Sequence, residues 1–125
     1  MLVMVCDGHE KIRIQRGVPL SVDVEVFSDE DLKIPMDLTG KIVFISVKRL
    51  NDFSETDDNA VITSEIITHK DAANGITTWT LTEEKTLVPY GRYKADVRAY
   101  TNATEFVNSR TFYVCVCAAV TRRKD

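Results

Sequence analysis

Leu20-Ser21-Val22-Asp23-Val24-Glu25-Val26 alternates apolar and polar residues without a break. In extended backbone, successive side chains point to opposite faces. Leu20, Val22, Val24 and Val26 then line one face, and Ser21, Asp23 and Glu25 the other. A helix would scatter the same residues around its axis. The stretch predicts a strand with one face buried and one in water.

Six further segments read the same way. Residues 11–15 place Ile12 and Ile14 together, and residues 42–47 are nearly continuous apolar, as a central strand would be. Residues 60–68 are rich in β-branched side chains, and residues 76–82 set Trp79 and Leu81 on one face. Residues 92–100 set Tyr93, Ala95, Val97 and Ala99 against Arg92, Lys94, Asp96 and Arg98, and residues 106–117 end in a β-branched and aromatic run. Arg16-Gly17, Thr39-Gly40, Asn51-Asp52, Asn74-Gly75, Tyr90-Gly91 and Thr101-Asn102 separate them as turns. Seven short strands with regular turns predict a sandwich or barrel. No run of 10 to 12 residues keeps a helical period. Thr82-Glu83-Glu84-Lys85-Thr86-Leu87 predicts one short helical turn, capped by Thr82 and stopped by Pro89.

The 125 residues suit one domain, expected to span 1–125 with its core at about 10–117 and a flexible tail at 118–125. Hydrophobic residues at 44% and charged residues at 28% are globular proportions, which argues against disorder. A net charge of −3 has the wrong sign for a nucleic-acid partner. No apolar run approaches the roughly 20 residues of a membrane span. The apolar start, residues 1–6, has no leading Lys or Arg and is short for a signal peptide. With three cysteines (Cys6, Cys115 and Cys117), an odd number, reduced thiols in a cytoplasmic setting are expected.

Gly91-Arg92-Tyr93 opens a strand just after the helical turn. A tyrosine corner occupies that place in immunoglobulin-like domains, its hydroxyl bonded back to the preceding loop. The cysteine that antibody domains carry two residues later is Ala95 here, so no inter-sheet disulfide is expected. The predicted fold is an all-β, immunoglobulin-like β-sandwich of about seven antiparallel strands with one short helical turn.

The order of signals also resembles a known family. Ile12-x-Ile14-x-Arg16-Gly17 is followed by an alternating strand and then by Pro35-Met36-Asp37-Leu38-Thr39-Gly40-Lys41-Ile42-Val43-Phe44. Ala60-Val61-Ile62, Asn74-Gly75-Ile76, the Leu81-Thr82-Glu83-Glu84 turn, Gly91-x-Tyr93 and Thr111-Phe112-Tyr113-Val114 complete it. This is similar to the N-terminal immunoglobulin-like domain of phage baseplate upper proteins, over residues 10–116. The Asp-Leu-Thr-Gly turn before an apolar strand is its most specific piece. The resemblance implies a structural component of a phage or prophage tail or baseplate, assembled in the host bacterial cytoplasm and carried in the virion. Its implied partners are other virion proteins and copies of itself. Baseplate proteins continue into receptor-binding or oligomerising parts, so a chain of this length is expected to be a stand-alone virion protein.

Cys6-x-x-His9 and Cys115-x-Cys117 would make a zinc set if the first and last strands ran side by side. Thiols packed in the core or at an edge are the simpler expectation. Asp52, Glu55, Asp57 and Asp58 share a loop but lack the spacing of a calcium loop, which favours a solvated loop. Phe53 in that loop is expected to plug the end of the sandwich. His9 and His69 lie near no nucleophile motif and read as exposed strand-end residues. Glu83-Glu84 reads as the first turn of the short helix. Trp79 with Tyr90, Tyr93 and Tyr100 could form a sugar platform, though such residues more often fill cores. Asn102-Ala103-Thr104 matches a glycosylation acceptor but without secretion marks a turn. No catalytic, cofactor-binding or metal residue is assigned. The expected function is assembly or interaction without catalysis, with a carbohydrate-binding or adhesion module as the alternative. Contacts are expected at the loop 28–33, the Phe53 loop and an edge strand. No nucleic acid, membrane, cofactor or small-molecule ligand is expected.

Overall fold

Each alternating segment leaves an apolar stripe that water opposes, and two sheets laid face to face remove both stripes at once. The computed structural model shows that arrangement. It describes residues 3–6, 11–28, 31, 33–54, 56–101, 106–108 and 111–118. The strands are β1 (Val3–Cys6), β2 (Lys11–Gln15), β3 (Leu20–Phe27), β4 (Ile42–Arg49), β5 (Ile62–Ile66), β6 (Ile76–Leu81), β7 (Gly91–Tyr100), β8 (Phe106–Asn108) and β9 (Phe112–Cys117). The smaller sheet has the order β1-β3-β6, and the larger β2-β9-β7-β4-β5, with β8 also beside β7. Every pair is antiparallel except β2 with β9, which run parallel. The fold is an immunoglobulin-like β-sandwich.

All seven expected segments are strands. The last is broken into β8 and β9, and β1 adds one more. Val3-Met4-Val5-Cys6 is apolar throughout and offers no period to read, which hid it. It pairs Met4 with Val26 on the edge of the smaller sheet. The chain then crosses to the other sheet, and β2 follows β9 in the parallel sense, so the expectation of an all-antiparallel sandwich is amended there.

The buried faces follow the sequence pattern. Val24 and Val26 in β3 and Tyr93, Ala95, Val97 and Ala99 in β7 are buried, as are Val43, Ile45 and Val47 in β4. Each valine or isoleucine among them, taken fully out of water, contributes roughly 1.5–3 kcal/mol before entropy is counted. Leu38 is also fully buried, although it lies outside any strand. The Asp37-Leu38-Thr39-Gly40 turn holds it there. Thr39 N donates to Asp37 Oδ1 at 2.9 Å, and Lys41 N to Leu38 O at 2.9 Å. Gly40 supplies the left-handed backbone the turn needs, at φ 73°.

Two 3₁₀ turns complete the frame, Ala72–Asn74 and Glu84–Thr86. The second is the expected helical turn, with Lys85 N bonded to Thr82 Oγ1 at 3.3 Å. The first was not expected. It ends at Gly75, φ 71°, where an added Cβ would lie 2.5 Å from Val26 O and 2.8 Å from Met36 O. Only glycine lets those backbones meet.

Candidate functional site

The polar atoms of the interior are engaged in holding the sheets together. Trp79 on β6 is fully buried, and its Nε1 donates to Ser64 Oγ on β5 at 2.9 Å. That bond links the smaller sheet to the larger one. Tyr93 is buried too, and its hydroxyl donates to Pro89 O at 2.6 Å, forming the expected corner. Thr86, also fully buried, accepts from Gly17 N at 3.0 Å and donates to Glu83 O at 2.8 Å. Trp79 and Tyr93 therefore fill the core, the simpler expectation for them, and form no sugar platform with Tyr90 and Tyr100. Exposed Tyr90 lies under the guanidinium of Arg16, 5.6 Å from its ring centre.

The outer face of the larger sheet differs. On β4 the outward positions are Phe44, Ser46 and Lys48, facing Arg98, Asp96 and Lys94 of β7. Ser46 points away from the core, yet only 3% of its surface is exposed. Thr56 and Asp57 of the connection after β4 fold back across the sheet and cover it. Ser46 Oγ donates to Asp57 Oδ1 at 2.9 Å, and Lys48 Nζ donates to Thr56 O at 2.8 Å. Lys48 and Asp57 also form an ion pair at 3.4 Å. At the tip, Asp52 Oδ1 accepts from Ser54 N at 2.9 Å and from Ser54 Oγ at 2.6 Å. This is an Asx turn, the local alternative to ladder hydrogen bonding that Asp favours.

The turn lifts Phe53 out of the molecule. Its side chain is 85% exposed, against the expectation that it would plug the sandwich end. One face of its ring is met by the ammonium of Lys94, 4.3 Å from the ring centre. Between loop and sheet lies a cleft of about 260 Å³, lined by Ser46, Lys48, Asp52, Phe53, Ser54, Lys94, Ala95, Asp96 and Thr111.

Its carboxylates are tuned in opposite directions. The Ser54 hydroxyl and amide hold Asp52 below the usual carboxylate range. Partial desolvation pushes Asp96 up, and Asp57 adds to this, while Lys48 and Arg98 oppose it. Asp52 Oδ2 is out of reach of solvent and accepts no hydrogen bond. Lys48, Lys94, Asp52 and Asp96 line the cleft, with Asp57 paired to Lys48, so the cleft is polar and carries charges of both signs.

The other candidates settle differently. Cys6 lies in β1, paired with β3, whereas Cys115 and Cys117 lie in β9 of the other sheet. The strand beside β9 is β2, and its inward residues are Ile12 and Ile14. His9 lies outside the described residues. Cys115 and Cys117 are half-exposed free thiols on the outer face, not core or edge thiols, because Phe112, Val114 and Val116 take the inward positions and β9 sits between β2 and β7. Arg13 Nε approaches Cys117 Sγ at 2.9 Å. His69 is not a free strand-end residue. It is half-buried, with Nε2 2.7 Å from Lys41 O and Nδ1 3.0 Å from Thr77 Oγ1. Glu55 and the Asn102-Ala103-Thr104 turn lie outside the described residues, as do 29, 30 and 32 of the loop 28–33. What is described of that loop is tied by Ser28 N to Ile34 O at 2.9 Å, with Ile34 exposed beside it.

Sequence reasoning marked the Phe53 loop but missed the cleft. The available signals were the Asp-x-Ser spacing of the turn and a serine at an outward strand position otherwise held by large side chains.

No family model matches the sequence, and no curated protein matches it. Among solved structures, the chain is similar to AggA, the major subunit of aggregative adherence fimbriae type I from Escherichia coli. The identity is 8%, with 95% of this chain and 93% of that chain covered and a TM-score of 0.35.

Proposed function

We propose that this chain is a non-catalytic interaction module that helps to build a phage or prophage tail or baseplate, joining copies of itself and neighbouring virion proteins. The virion setting rests on the sequence resemblance, above all the Asp37-Leu38-Thr39-Gly40 turn before β4. The interaction role rests on one observation: Phe53 is held almost wholly in solvent by a loop that the Asx turn at Asp52 and the Lys48 bond to Thr56 O tie in place. Aromatic side chains on pre-ordered loops make strong anchors, because little entropy remains to be lost on docking. Many copies in one assembly then reach high avidity from modest single contacts. The alternative, a carbohydrate-binding or adhesion module built on Trp79, has no platform there, since that indole is enclosed.

Light scattering at several concentrations tests the proposal, together with the position of the gene. Mass that rises with concentration, and a gene set among tail genes, are the expected results. A strict monomer encoded far from tail genes would overturn it.

A further inference from the structure

We infer that the Phe53 cleft is a binding site for a single neutral pyranose ring, the terminal unit of a glycan. The inference rests on the reading above that the Phe53 loop is the contact surface. It replaces the expectation that no small molecule binds.

Size comes first. The cleft holds about 260 Å³, below the roughly 300–1,000 Å³ of sites for drug-sized ligands, so it suits one ring. Charge comes next. Lys94 and Lys48, the latter already paired with Asp57, stand beside Asp52 and Asp96 in the lining, so an anion meets carboxylates and a cation meets ammonium groups. A neutral ligand avoids both repulsions. A pyranose is neutral and can use both signs, since each hydroxyl donates to a carboxylate and accepts from an ammonium.

The individual groups agree with that choice. Asp96 stands exposed on the outer face of β7, opposite Ser46 of β4, so its carboxylate is open to a hydroxyl donor. Ser46 spends its proton on Asp57 and keeps a lone pair. Thr111 also lines the cleft. Phe53 supplies the apolar element. Lys94 polarises the ring from one side, and most of the rest faces solvent. The C–H face of a pyranose can lie on the exposed part while the hydroxyls turn to the polar wall, an amphipathic match that an aromatic ring beside carboxylates provides. The Asx turn at Asp52 and the Lys48 bond to Thr56 O fix the loop before any ligand arrives.

Saturation-transfer NMR tests this with the intact chain and three probes: methyl α-glucopyranoside, methyl β-galactopyranoside and N-acetylglucosamine. Transfer to ring C–H protons of at least one glycoside is expected, with affinity in the millimolar range. Phe53→Ala is expected to weaken it by about tenfold, and Asp96→Asn by at least about threefold. Unchanged Trp79 emission and circular dichroism check that both variants are folded. No transfer from any probe overturns the inference, as does transfer that both variants leave intact. Light scattering of the same samples without sugar keeps the two readings apart. A protein that assembles but ignores glycosides removes only this inference, and a monomer that binds them removes only the assembly proposal.

Discussion

Trp79 and Phe53 are both aromatic, and the molecule treats them oppositely. Trp79 is fully enclosed between the sheets with its one polar atom bonded across them, whereas Phe53 stands 85% exposed at the rim of a cleft. The first region spends its chemistry on itself. Its serine, tyrosine and threonine hydroxyls bind Trp79, Pro89 and Glu83, all within the fold. The second keeps an aromatic face and an Asp52 oxygen without a hydrogen-bond partner. The proposed reading thereby places stability and recognition on opposite faces of the larger sheet.

That division can be broken from the inside first. Trp79→Ala opens a large cavity and strands Ser64, and should cost about 3–5 kcal/mol, read by urea unfolding in far-ultraviolet circular dichroism. A loss under about 1 kcal/mol would mean that the interior is not packed as described. Ser64→Ala keeps the indole but leaves its N–H buried without an acceptor, and should cost about 1–3 kcal/mol in the same assay. Tyr93→Phe removes only the hydroxyl bond to Pro89 O, and about 1 kcal/mol is expected.

The smallest effect belongs to the outer face and has the opposite sign. The folded protein raises the pKa of Asp96, so its charged form opposes folding at neutral pH. Asp96→Asn should leave stability at pH 7 unchanged or higher by no more than about 0.5 kcal/mol, the carboxylate being well screened. As pH falls through the raised range and below the ordinary carboxylate value of about 3.9, the native Asp96 takes up its proton and the difference should vanish. Thermal melts at neutral and acid pH read this directly. A destabilised variant at pH 7 would place Asp96 among the groups that hold the fold.

The sandwich was legible because period-two alternation has a physical reader, the apolar interior. Leu20 to Val26 in β3 and Tyr93 to Ala99 in β7 could be assigned residue by residue on that basis. Strand β1 was not legible, because Val3-Met4-Val5-Cys6 has no polar face to mark its phase. Nor was the parallel pairing of β2 with β9, since alternation fixes which face is inward and says nothing of direction. Corner chemistry could be anticipated at Tyr93, where a local four-residue bond closes the loop. The cleft could not be, because it depends on Thr56 and Asp57 returning over Ser46 and Lys48, and no periodicity records such a return. Phe53 was misjudged for the same reason. A lone phenylalanine in a loop is most simply assigned to a core, and only the Asx turn at Asp52 sends it outward.

Urea unfolding of Phe53→Ala, followed through the emission of Trp79, tests the separation of the two regions most directly. A side chain that supports only recognition predicts an unfolding free energy matching the wild type, within about 0.5 kcal/mol. An unfolding free energy lowered by about 3–5 kcal/mol, the cost of removing a buried phenylalanine, would return Phe53 to the core and contradict the account.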